Sequence, residues 1–74
     1  MKTFLLTHYK TDNTEYSNIV FGKLDDAIKL ASSEEITDVK TVPVEEDKPY
    51  EDGTLIYEGT YKDNKKVTIK IYNL

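Results

Sequence analysis

The reading of one stretch decides the fold: Leu24-Asp25-Asp26-Ala27-Ile28-Lys29-Leu30-Ala31, LDDAIKLA. Leu24, Ala27, Ile28 and Ala31 fall at i, i+3, i+4 and i+7, which is one apolar stripe on a helix, and Leu30 widens it. Asp25 and Asp26 lie in the first turn, where the helix dipole favours anions. Asp25 and Lys29 are spaced to pair across the surface. Gly22 is the expected N-cap. Ser32-Ser33 weakens the pattern, so the helix should end near Glu35. It is the clearest helix in the chain.

On both sides of the helix the period drops to two. Upstream, Thr3 to Tyr9 alternates Phe4, Leu6 and His8 against Leu5 and Tyr9. Glu15 to Phe21 alternates Ser17, Ile19 and Phe21 against Tyr16, Asn18 and Val20. Lys10 to Thr14 between them, with Asp12-Asn13 at its centre, has turn chemistry, so a hairpin is expected. Downstream, Thr37 to Val44 is rich in β-branched residues, and Pro43 places it at an edge or ends it. Thr54 to Lys62 follows, with Gly59 as a candidate bulge. After a turn at Asp63-Asn64, Lys66 to Tyr72 sets Val67, Ile69 and Ile71 on one face and Lys66, Thr68, Lys70 and Tyr72 on the other.

The expected architecture is therefore a single α+β domain over residues 1–74, order ββαβββ. Its one helix packs on one face of a mainly antiparallel sheet. The element order is similar to that of a β-grasp fold, which is the alternative topology. No diglycine follows Tyr72, so ubiquitin-type conjugation is not expected.

A chain of 74 residues buries only about 60% of its unfolded surface, and with no cysteine it has no disulfide or thiolate staple. The apolar start Phe4-Leu5-Leu6 breaks at Thr7-His8-Tyr9-Lys10, too early for a signal peptide. No run approaches the ~20 apolar residues of a membrane span. A cytoplasmic location is the expectation. All 10 basic residues are lysines, and lysine, isoleucine, tyrosine and asparagine are plentiful. Their AT-rich codons suggest a low-GC bacterium or its phage.

The net charge of −4 is unevenly placed. Residues 45–53 hold Glu45, Glu46, Asp47, Glu51 and Asp52 against Lys48 alone. Residues 54–74, by contrast, carry four lysines and two acids. The acidic segment fails as an EF-hand, because counting back from Gly53 puts Lys48 at the first ligand position. A looser calcium or magnesium site from Glu45, Asp47, Glu51 and Asp52 is outweighed by ordinary solvation of a charged loop. Paired carboxylates would need a cleft that splits their pKa values, which so small a domain seldom encloses. His8 has no evident partner for a triad or a metal site. Ser32 and Ser33 have no base nearby. Gly22, Gly53 and Gly59 form no phosphate cradle. The expectation is no catalytic residue, no metal and no cofactor.

What is left is binding. Glu45, Glu46, Asp47, Tyr50, Glu51 and Asp52 form the expected contact for a protein with a basic surface. Carboxylates steer such a partner, and a tyrosine supplies amphipathic contact area. In the narrowest form the acids stand in for phosphates and block a host nucleic-acid enzyme. Small acidic phage inhibitors do this, and the chain is similar to them in size and charge. The bland alternative is a solubilising loop. The runner-up function is weak single-stranded nucleic-acid binding through Tyr61, Lys62, Lys65, Lys66, Lys70 and Tyr72. Net negative charge and the absence of arginine count against it. A homodimer through an edge strand is the third expectation.

Overall fold

The computed structural model describes residues 1–9, 15–33 and 35–73. The turn expected at Lys10 to Thr14 lies outside them. The elements are β1 (Lys2–Tyr9), β2 (Tyr16–Phe21), α1 (Leu24–Ala31), β3 (Thr37–Thr41), β4 (Thr54–Tyr61), a 3-10 turn (Lys62–Asn64) and β5 (Lys65–Asn73). The order ββαβββ is as the periodicity requires. The five strands form one sheet in the order β2-β1-β5-β4-β3. Every neighbouring pair is antiparallel, the central β1–β5 pair included. A β-grasp sheet sets its first and last strands parallel, so that alternative is excluded.

Register explains the core. Phe4 faces Ile71 and Leu6 faces Ile69 across β1 and β5, while Tyr57 and Gly59 of β4 face Ile69 and Val67. These residues share the face that α1 covers with Ala27 and Ala31, and Leu24, Ile28 and Leu30 pack around them. An eight-residue helix is too short to persist alone in water, so this packing is what holds it. His8 is buried on the same face as Phe4 and Leu6. Lys66 and Lys70 are exposed on the opposite face.

Several boundaries differ from the sequence reading. The N-cap is Lys23, in extended conformation and without a side-chain cap bond, rather than Gly22. The helix stops at Ala31, short of Glu35. Its two following serines turn back on it: the Ser32 hydroxyl donates to the Lys29 carbonyl at 3.1 Å and that of Ser33 to the Leu30 carbonyl at 2.6 Å. Asp25 and Lys29, both exposed, make no ion pair with one another. A solvated pair at this spacing gains little against the entropy of holding two long side chains. β3 ends at Thr41, before Pro43, and all five of its residues are exposed. The bulge in β4 lies between Leu55 and Tyr57, not at Gly59, which pairs regularly with Val67. The extra residue there, Ile56, is buried beside Tyr57, so the bulge turns two consecutive side chains into the core.

Burial also sets a pH dependence. Loss of solvent around Tyr57 raises its phenol above the ordinary value of 10.0. Above pH ~10 the unfolded chain loses this proton while the folded chain keeps it, so stability is full below that pH and falls as pH rises through the folded value. Tyr57→Phe should flatten that alkaline loss. Urea midpoints for both chains between about pH 8 and 11 check it. Parallel curves would contradict it.

Candidate functional site

The acidic segment joins β3 to β4, and it is folded rather than loose. Val44 and Tyr50, six residues apart, both pack against the hydrophobic core. The Tyr50 hydroxyl accepts the Glu45 amide at 3.0 Å and lies 3.5 Å from the Pro43 carbonyl, which closes the loop on itself. Asp52 ties the loop to the end of β5. Its Oδ1 accepts both the backbone N–H and the side-chain amide of Asn73, at 2.8 and 3.0 Å. The same Asn73 amide donates to the Tyr50 carbonyl at 2.8 Å. Gly53, with φ +85°, supplies the left-handed turn into β4 and donates to the Ile71 carbonyl at 2.8 Å.

The residues expected to bind a partner thus divide into two groups. Tyr50 and Asp52 are committed to holding the loop. Glu45, Glu46, Asp47 and Glu51 are exposed and make no ion pair among the described residues. Two lysines lie beside them without forming such a pair. Lys2 and Lys48 place their ammonium groups 5.8 and 5.6 Å from the centre of the Tyr50 ring, and Lys2 also donates to the Glu46 carbonyl oxygen. Among the described residues no three His, Asp or Glu side chains converge as metal ligands would.

Beside the loop an open cleft of about 910 Å³ separates it from the start of α1. Phe4, Leu24 and Val44 line it together with Lys2, Glu46 and Asp47. Sequence reasoning missed the parts played by Lys2, Val44 and Asn73. Val44 was the one signal available, an apolar side chain at the start of the acidic run, although an apolar residue alone does not require burial.

The lysine and tyrosine set of the last hairpin is not brought together as one face. Tyr61 packs against the core, with Lys62 5.7 Å from its ring. Lys66 lies 3.9 Å from Glu58 and donates to the Thr60 hydroxyl at 3.3 Å. Tyr72 sits at the other end of β5, beside Gly53. Lys65 instead meets a pair the sequence reading had not joined to it. Its ammonium is 4.4 Å from the Tyr9 ring centre, and Tyr9 and Tyr16 lie 4.1 Å apart, tilted by 39°. The neighbouring Tyr9 phenol, and then burial, raise the Tyr16 phenol above its ordinary value, against the opposing pull of the Lys66 backbone and Lys65.

No helix among the described residues is long and apolar enough to cross a membrane. No protein-family model, curated protein or solved structure matches the chain.

Proposed function

We propose that the protein acts without catalysis, by binding another protein, and that Glu45, Glu46, Asp47 and Glu51 are the face it presents to a basic partner. One observation carries this reading: the loop is tied at Tyr50 and Asp52 while the other four acids stay exposed. A merely solubilising loop needs charge but no fixed shape. A tied loop has lost its conformational freedom before binding, so less affinity is spent on ordering it. The cleft beside it offers apolar area at the half-buried Leu24 and Val44 for a partner's side chain. In its narrower form the partner is a nucleic-acid enzyme whose phosphate-binding surface the carboxylates occupy, in the manner of a phage-type inhibitor.

The test is capture from lysate by the immobilised protein, with identification of what is retained. The fourfold variant Glu45→Gln, Glu46→Gln, Asp47→Asn, Glu51→Gln should lose the retained protein. Wild-type capture should weaken as salt rises from about 50 to 300 mM. Folding should change by less than about 0.5 kcal/mol, because all four side chains are exposed. Equal capture by both chains would remove the loop from the account.

A second reading, single-stranded nucleic-acid binding, rests on the Tyr9–Tyr16 pair with Lys65 over it. Titration of a labelled oligonucleotide should then show salt-sensitive binding that Lys65→Ala and Tyr9→Ala both weaken. No binding at low salt would eliminate it.

A further inference from the structure

The two edges of the sheet are built differently. β3, at one edge, carries several features that discourage another strand from pairing. Asp38 is left-handed with φ +54°, and the register with β4 shifts between Thr37 and Lys40. Asp38 and Lys40 are charged, and Pro43 follows the strand. β2, at the other edge, has none of these. Its sequence Tyr16–Phe21, YSNIVF, holds no charge, proline or glycine. All six residues match β1 in unbroken register, from Tyr9↔Tyr16 to Phe4↔Phe21. Its only ladder partner among the described residues is β1, so every second N–H and C=O along its outer side has no partner strand. Tyr16 and Val20 are 48% and 64% exposed.

We propose that β2 pairs antiparallel with β2 of a second copy across a two-fold axis, joining two five-stranded sheets into one. Charge selects this occupant. Two copies of a chain with net charge −4 repel, and a two-fold contact sets each residue against a symmetry mate of the same strand. An uncharged strand such as β2 places no like charges opposite one another. A basic foreign strand, which the chain's net charge would favour elsewhere, finds no carboxylate within β2. Pairing about Asn18 also satisfies side-chain chemistry. Tyr16 then lies opposite Val20 of the second copy, an aromatic on a β-branched residue, on the face away from α1. Ser17 lies opposite Ile19 on the other face. One strand edge is a small interface, so the dimer forms in the micromolar range or weaker.

Sedimentation velocity over a concentration series from about 10 µM to 1 mM tests it, in a range chosen for a weak interface. The mass should rise from 8.5 kDa toward twice that value. The double variant Asn18→Lys/Val20→Lys sets ammonium groups against one another along the shared edge, and should weaken the dimer at least tenfold. Both positions are exposed, and matching circular dichroism spectra confirm the fold. Val39→Lys, on the β3 edge, should leave the dimer unchanged. A monomer at every concentration would overturn the proposal, as would a dimer that survives the double variant or is lost with Val39→Lys.

Discussion

Ile69→Ala should cost the domain most of its stability. Ile69 is fully buried on β5, the middle strand, with Leu6 opposite it on one side and Tyr57 on the other. Removing a buried isoleucine to alanine typically costs 2–5 kcal/mol, as lost transfer free energy plus the cavity left behind. A domain of 74 residues, at roughly 0.05–0.15 kcal/mol per residue, holds about 4–11 kcal/mol in all. The loss is therefore a large share of the total. Urea denaturation followed by circular dichroism should show the midpoint fall steeply, with a substantial unfolded population before urea is added at the low end of that range. Lys70→Ala, the next residue on the exposed face, should shift the midpoint by no more than about 0.5 kcal/mol. Equal effects at the two positions would mean that the helix does not cover the face assigned to it.

Gly59→Ala should destabilise by about 1–3 kcal/mol, although conformational entropy alone pushes the other way. An alanine in a strand interior is favoured over glycine by roughly 0.5–1 kcal/mol. Sterics decide the sign. A Cβ at Gly59 would collide with Cγ2 of Ile36, and would lie 3.6 Å from both Ile36 Cβ and Val39 Cγ2. The clashing atom is a methyl on a β-branched carbon of a half-buried residue, so it has little room to swing away. The glycine thus allows the chain entering β3 to lie close against β4. Combining Gly59→Ala with Ile36→Ala should cost less than the sum of the two single changes, by at least 0.5 kcal/mol on the usual scale for contacting residues. Strict additivity, or a stabilising Gly59→Ala, would contradict the packing described for this edge.

Much of the fold was legible because two periods and one proline carry it. Val67, Ile69 and Ile71 alternate so regularly that only a half-buried strand fits them, and Leu24, Ala27, Ile28 and Ala31 fit only a helix. Pro43 announced that β3 would stop, and it stops just before. Strand order was not legible. β5 is central because its apolar face meets both Phe4 and Leu6 of β1 and Tyr57 of β4, a match made between residues more than 60 positions apart in one case. No local pattern encodes that. Glycine permits bulges, so the sequence alone points to Gly59. The bulge sits at Ile56 because the core accepts two consecutive apolar side chains there, and glycine was needed instead for close approach.

The candidate site was half legible. The concentration of acids between residues 45 and 53 is visible in the sequence. Sequence could not say that Tyr50 would turn inward to hold the loop, or that Asp52 would give its carboxylate to Asn73. Those roles depend on where the end of β5 lies. Nearness in sequence groups the lysines of the last hairpin, whereas the sheet sends Tyr61 to the core and brings Tyr9 and Tyr16 to Lys65.

The functional account depends on residues 44–53 holding one shape in solution, and backbone 15N relaxation measures this directly. Order parameters across the loop should approach the ~0.85 of rigid backbone in the wild-type chain. They should fall toward those of a flexible segment in Tyr50→Ala/Asp52→Ala, with the strands unchanged. Values below about 0.6 across the wild-type loop would contradict the account, because four carboxylates on a freely moving chain are only a charged tether.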